Sequence, residues 1–307
     1  MKTKVNVQDH VFSPDIDLQE INEDGDGFVD DYVSRLTLSP LDKLRPLWDI
    51  HILNVKTSDG EAVAPEAFPT IPAIKRREKI MSHRLGNEGW FLRSMFAIYS
   101  AVRLIWNTSV DLLLLLATTL YLKDMETPLN EGAGIGNTRK FYHRTVSLDD
   151  IKLIKNTMNM TVNDVLLGVT QAALSRYLNQ RYGNKDGEDG TTTLDQNNLP
   201  HGMRIRAGVA VNLRHDIGIQ VVKRTFSNTT TILSNIVGPV EEVSLHGNHI
   251  TYIALSAYGH SQALGIHFIS YAGKMVISIP VDPSVIPDPH NICDKMEESL
   301  KAMKDAL

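Results

Sequence analysis

Ser234-Asn235-Ile236-Val237-Gly238-Pro239 closes an apolar, β-branched run that begins at residue 225, and its reading organises the rest of the chain. Such a run ending in Gly-Pro is a strand with an abrupt exit, because proline has no N–H to continue a ladder. Beyond it, residues 250–258 read as a strand. Residues 264–271 and 275–281 read as a hairpin around Ala272-Gly273-Lys274, and 289–307 as a charged terminal helix. Before it, 205–213 and 141–146 read as strands and 182–199 as a polar, Gly- and Asp-rich loop. Ser147 caps a helix whose apolar positions Ile151, Ile154 and Met158 share a face. Thr161-Val162-Asn163-Asp164 opens another, with Val165, Val169, Ala172, Ala173 and Leu174 inward. The order is mixed α/β (α+β) with non-local strands, not a regular βαβ alternation.

Further towards the N-terminus, residues 91–122 are the most apolar part of the chain, with Arg103 and Asp111 interrupting the run. A membrane span needs about 20 mainly apolar residues. An Asp at its centre costs roughly 2.5–3.5 kcal/mol on insertion scales, so 104–122 could cross only with Asp111 off centre. The two expectations are a membrane-embedded or interfacial helix, and a buried or lipid-facing helix of a soluble domain. Residues 56–84 are polar and Pro-rich, with a basic patch at 75–79, and read as a linker. About 30 structureless residues are uncommon inside a compact domain, which points to something absent between residues 55 and 75. The segment 49–55, DIHILNV, reads as a strand with Ile50 and Ile52 inward, joined by Leu53 and Val55. Residues 28–38 have helical spacing, and 40–48 are Pro-bounded and irregular. The first ten residues lack the apolar core of a secretory signal. The chain starts abruptly on a strand-like run, so a lost beginning is expected.

The 307 residues are 42% hydrophobic and 22% charged, an ordinary globular composition. A formal charge of −5 and a pI of about 6.1 give no basic field for nucleic acid. The single cysteine, Cys293, cannot close an internal disulfide. Asn22-Glu23-Asp24-Gly25-Asp26-Gly27-Phe28-Val29-Asp30 matches part of a calcium loop, but Val33 stands where a bidentate Glu is needed. An acidic turn at a helix N-terminus is the preferred reading. No two of the eleven histidines are adjacent, and none is spaced for a metal site. There is no G-x-S-x-G elbow, and 132–136 is Gly-rich without a dinucleotide fingerprint. His51 and His267, each on a strand, read first as structural residues, with His51 the weak candidate for proton chemistry.

Three short motifs carry more. Pro46-Leu47-Trp48 precedes a strand, Asn163-Asp164 lies in the first turn of a helix, and Ser234-Asn235 with Gly238-Pro239 closes a strand. In this order, with Gln8-Asp9-His10-Val11, Val211-Asn212-Leu213-Arg214 and Val281-Asp282-Pro283, they make the sequence resemble plant-type bifunctional wax ester synthase/diacylglycerol acyltransferases along most of its length. The resemblance implies a CoA-dependent acyltransferase, chloramphenicol acetyltransferase-like fold of two lobes around a channel, here incomplete: 1–140 with the Leu-rich helix 91–122, and 141–307, shortened near 220. It implies transfer of a fatty acyl group from acyl-CoA to a long-chain alcohol or diacylglycerol, with acyl-CoA as co-substrate and no cofactor or metal.

In such relatives the base is the second His of a His-His-x-x-x-Asp-Gly motif, placed shortly after the strand equivalent to DIHILNV. No such motif follows here: residues 56–66 read KTSDGEAVAPE. An excision near Val63/Ala64 and a second shortening after Gln220 are the expected causes. The motif residues that remain are expected to support structure: Trp48 anchoring the Pro46 turn, Asn163 and Asp164 capping a helix and bracing the lobes, and Ser234, Asn235, Gly238 and Pro239 forming a strand exit near the channel. A catalytically inactive acyl-CoA- or lipid-binding relative, or a non-functional splice product, is the alternative. The resemblance and the Leu-rich stretch place the chain on the cytosolic face of the endoplasmic reticulum membrane, with the plasma membrane second.

Overall fold

The computed structural model describes residues 10–16, 25–38, 50–57, 60–65, 90–120, 124–131, 138–183, 197–209, 227–245, 248–251, 253–255, 257 and 260–307. In the N-terminal part, β1 (Val11–Phe12) runs parallel to β2 (Ile50–Thr57), and β3 (Gly60–Pro65) pairs antiparallel on the other side of β2. Helix α1 (Gly25–Leu38) packs on β2. A Cβ on Gly25 would lie 2.0 Å from the Lys56 carbonyl oxygen, so only glycine allows this approach.

Two expectations change here. The strand over 49–55 is present, but its faces are reversed in part. His51, Leu53 and Val55 are buried, while Ile52 is exposed and Ile50 half-buried. Successive strand residues face opposite sides, so fixing Leu53 and Val55 inward brings His51 with them and turns Ile50 and Ile52 away. The expected linker over 56–84 is also not uniform, because Gly60–Pro65 is a strand. The calcium-loop match fails on geometry: Gly25 opens α1, so the positions from Gly25 to Val33 are helical and cannot wrap an ion. The earlier positions 22–24 lie outside the described residues.

The larger sheet is built from β4 (Lys140–Ser147), β5 (Ala207–Val209), β6 (Thr231–Val237), β9 (Leu264–Tyr271) and β10 (Lys274–Val281), in the order β4-β10-β9-β6-β5. β10 is antiparallel to both of its neighbours, β4 and β9, and β9, β6 and β5 run parallel. A two-residue turn joins β9 to β10. Ala272 at φ 44° and Gly273 at φ 80° give the left-handed pair that matches strand twist. Helices α3 (Leu148–Thr157), α4 (Val162–Gly183) and α5 (Pro289–Asp305) pack together and α5 meets the sheet. Their apolar faces enclose Ile151, Val165, Val169, Tyr177, Ile266, Ile277, Ile292 and Met296 in one core.

The helix starts follow the expected chemistry. The Ser147 hydroxyl accepts from the Asp150 amide at 3.2 Å. Thr161 and Asp164 form a reciprocal capping box: the Thr161 amide and hydroxyl donate to the Asp164 carboxylate, and the Asp164 amide donates back to the Thr161 hydroxyl. Two other expectations fail. Met158 caps the end of α3 and is exposed, since the helix stops before it completes the inward face. The described residues of 250–258 form no strand. Instead the short β7 (Ser244–Leu245) and β8 (Asn248–His249) pair upstream, and the Tyr271 hydroxyl holds the segment by donating to the Ile250 carbonyl at 2.8 Å. The strands expected over 205–213 and 225–237 appear as β5 and β6, with Ser227–Thr230 forming a turn before β6.

Helix α2 (Trp90–Leu120) covers most of the expected Leu-rich helix. Among the described residues, no helix is long and apolar enough to cross a membrane.

One buried carboxylate fastens the segment after α2 to the sheet. Asp124 accepts from the Arg206 amide at 2.6 Å, the Arg206 guanidinium at 2.9 Å, the Thr230 amide at 3.0 Å and the Thr230 hydroxyl at 2.6 Å. Thr230 is fully buried, so its donors cannot turn to water. Asp124→Ala is expected to cost about 2–4 kcal/mol, the toll of orphaning two buried donors. Urea denaturation followed by far-UV circular dichroism measures it.

Candidate functional site

The parallel pairing of β6 with β9 sets the geometry of the Ser234–Pro239 segment. Ser234 lies opposite His267 in the register, and paired residues point to the same face. The Ser234 hydroxyl therefore meets His267 Nδ1 at 2.6 Å. Burial, with the neighbouring His260 adding to it, pushes the His267 pKa down to about 4, so the ring is neutral at pH 7. Its Nε2 has no hydrogen-bond partner among the described residues and faces Gly265, where a Cβ would stand 3.2 Å away. The two neutral tautomers differ in consequence. With Nδ1 as acceptor, the Ser234 proton is consumed. With Nδ1–H as donor, the Ser234 hydroxyl is free to donate elsewhere. His267 is 2% exposed and so cannot collect a proton from a bulky substrate directly.

Asn235 points to the other face of β6, where its amide donates to the Asn163 side-chain oxygen at 2.7 Å. That bond ties the first turn of α4 to the end of the strand. The adjacent Asp164 is held below the usual carboxylate range by the backbone amide and hydroxyl of Thr161. Gly238 passes so close to β9 that a Cβ would lie 2.3 Å from the Ser270 carbonyl, and its amide meets the Ser270 hydroxyl at 3.3 Å. The Pro239 carbonyl accepts from the Ala272 amide of the hairpin turn at 3.1 Å. The structure thus brings Asn163, Ser234, Asn235, Gly238 and Pro239 together around one strand exit, beside Asp164. Pro46, Leu47 and Trp48 lie outside the described residues.

His51 belongs to the smaller sheet. Its ring stacks on Phe12 at 5.1 Å, and its Nδ1 meets the Tyr32 hydroxyl at 2.8 Å. These contacts fix the ring in an aromatic setting. Between the two parts of the chain, Ser34 donates from α1 to the Arg139 carbonyl, and Asp31 pairs with Lys140 at 3.0 Å.

Three buried polar groups were given no structural role by the sequence reading, although Asp282 stood in one of its motifs. Asp124 is one, and Asp282 another: its carboxylate accepts the Ser284 amide and hydroxyl at 3.0 and 2.5 Å. The third is the His260–Arg139 pair, in which the guanidinium donates to the His260 carbonyl at 3.2 Å. A lone Asp in a polar context carries no periodic signal. Only the role of Asp282, in Asp282-Pro-Ser, could have been read from its turn chemistry.

The arrangement makes stability pH-dependent. His267 binds a proton only near pH 4 when folded, but near its ordinary 6.5 when unfolded. The unfolded state therefore holds more protons between those values, and stability falls as pH drops from about 6.5 to 4. A loss of roughly 2–3 kcal/mol from this group is expected. The slope should shrink in His267→Gln, as read by urea melts at pH 7, 5.5 and 4.5. Separately, Gly238→Ala should destabilise even at pH 7, because the clash is with backbone.

Comparison with known proteins extends this picture. Residues 206–304 match the family model of the WS/DGAT C-terminal domain. Wax ester synthase/diacylglycerol acyltransferase 10 of Arabidopsis thaliana is 61% identical over 405 residues, a match covering all of this chain and 84% of that protein. Wax ester synthase/diacylglycerol acyltransferase 7 of the same plant is 46% identical over 410 residues, covering all of this chain and 85% of the relative. The first match spans 405 positions against 307 residues, so 405 − 307 = 98 positions have no counterpart in this chain. The chain is shortened internally relative to that protein, as expected. A solved structure, the wax ester synthase/diacylglycerol acyltransferase from Marinobacter aquaeolei VT8, superposes with a TM-score of 0.53 at 15% identity, covering 98% of this chain and 81% of that one. That likeness shows the fold, an acyltransferase fold of mixed α and β. With these identities sustained over its whole length, the chain belongs to the wax ester synthase/diacylglycerol acyltransferase family.

Proposed function

We propose that this chain serves neutral-lipid synthesis as an O-acyltransferase. It would move a fatty acyl group from acyl-CoA to a long-chain alcohol, giving a wax ester, or to diacylglycerol, giving triacylglycerol. The observation that carries the reading is 61% identity to a curated wax ester synthase/diacylglycerol acyltransferase along the whole chain. In that reaction the hydroxyl oxygen attacks the thioester carbonyl. A C–O bond forms, the C–S bond breaks, and the hydroxyl proton passes by way of a base to the departing CoA thiolate. Acyl-CoA is the co-substrate, and no cofactor or metal is called for. The lobes 1–140 and 141–307 would flank the substrate channel, with Ser234, Asn235 and Asn163 shaping one wall. The site of action is the cytosolic face of the endoplasmic reticulum membrane, with the plasma membrane second. The exposed apolar side chains of α2 support a place at a lipid surface.

A second reading, binding of acyl-CoA or lipid without turnover, is favoured by one observation: no two histidines are adjacent, so the His-His base motif is absent. A missing general base lowers the rate by about 10²–10⁴. The test is expression in cells unable to make neutral lipid, fed with fatty alcohol, with wax ester and triacylglycerol resolved by thin-layer chromatography. Product is expected above the empty-vector background, below a complete relative by that factor, and reduced further in His51→Ala. No product from a well-accumulated chain whose melting temperature rises with acyl-CoA selects the second reading. A chain with neither product nor a cooperative melt sinks both.

A further inference from the structure

The exposed large apolar side chains of this molecule concentrate on α2. Met95, Ile98, Val102 and Ile105 follow one another at spacings of three and four residues, as do Leu113, Leu116 and Leu120, and Trp106 joins the two runs through position 109, so all eight share one face of the helix. All eight are exposed, Ile105 at 66%, Trp106 at 69% and Leu113 at 66%. Ser109 interrupts that face. Over residues 100–111 the opposite face carries Ser100, Arg103, Asn107 and Asp111 in a narrow polar stripe. None of the principal contacts between described elements involves α2. A helix of 31 residues is about 46 Å long, and a monomer in water rarely leaves so large an apolar surface uncovered.

Charge identifies the cover. Residues 75–103 hold seven basic side chains (Lys75, Arg76, Arg77, Lys79, Arg84, Arg93 and Arg103) against Glu78 and Glu88, in a chain whose net charge is −5. A second copy paired in parallel would repeat an identical excess of positive charge in the residues that precede α2 in sequence. Leu112, exposed at the border of this face, and Leu104 and Leu114, exposed on the side of the polar stripe, carry apolar surface beyond the narrow seam of a helix pair. An anionic lipid surface satisfies both features: it takes up a broad apolar face and attracts a flanking basic segment.

We propose that α2 is a monotopic membrane anchor that lies along an anionic bilayer, with the face from Met95 to Leu120 in the boundary between head groups and acyl chains. The proposal deepens the membrane placement above and needs no acyl transfer to be true. Purified chain would be floated with phosphatidylcholine vesicles, with or without phosphatidylserine, and tryptophan emission followed in parallel. Binding to the anionic vesicles and a blue shift that disappears in Trp106→Phe are expected. The double variant Ile105→Glu/Leu113→Glu should lower the partition coefficient at least tenfold, and Arg103→Gln about fivefold on anionic vesicles only. Because these side chains are exposed, the variants should keep the parent's melting temperature. Equal flotation of parent and double variant would overturn the proposal. So would no flotation by a chain that melts cooperatively, or a concentration-dependent dimer that ignores vesicles. Loss of acyltransferase product with vesicle binding intact would sink only the catalytic reading.

Discussion

The structure depends on the double pairing of β9. This strand is buried on both faces and takes its hydrogen bonds from antiparallel β10 on one side and parallel β6 on the other. A one-residue slip would move every side chain to the wrong face, and with both faces covered no slipped register is tolerable. The tight Ala272-Gly273 turn fixes β10 against β9. Gly238, which admits no side chain beside the Ser270 carbonyl, fixes where β6 leaves. From those two constraints come the Ser234–His267 contact on one face and the Asn235–Asn163 bond on the other.

Acyl transfer asks for a base, donors to a developing oxyanion, and a dry channel. The strand exit holds amide and hydroxyl groups, and its histidine is neutral and buried. A buried neutral imidazole is a good orienter of a hydroxyl and a poor collector of protons. His51, held by Tyr32 and stacked on Phe12, is placed by packing in the smaller sheet. The absent His-His pair therefore has no replacement at the strand exit, where the described polar contacts remain.

The two parts of the chain differ in how they meet water. The C-terminal sheet and its three helices share one core, sealed at its margins by Asp124, Asp282 and Asp288, the last accepting from the Tyr177 hydroxyl at 2.7 Å. The N-terminal part has a three-stranded sheet with one helix against it, and a long helix with its apolar side uncovered. The 98 positions without counterpart in this chain measure how much of a close relative's substance is gone.

Local chemistry alone determined much of this. The Ser147 cap, the helix opening at Thr161-Val162-Asn163-Asp164, the hairpin turn, the terminal helix and the Gly-Pro strand exit are each written in a few adjacent residues and stand where they were expected, although Thr161 caps with Asp164 while Asn163 reaches to Asn235 instead. The family was legible too, because its motifs are short and contiguous. What local pattern could not decide was facing and partnership. Ile50 and Ile52 are as apolar as Leu53 and Val55, and only α1 packing against β2 chose which pair is buried. Residues 250–258 have strand-like composition, but β9 already has both its edges occupied by β10 and β6. The apolar content of α2 was plain in the sequence, whereas its lack of a principal contact with any other described element was not. Periodicity reports which residues share a face. What that face meets is settled by elements far away in the chain, because burial is a property of the assembled fold.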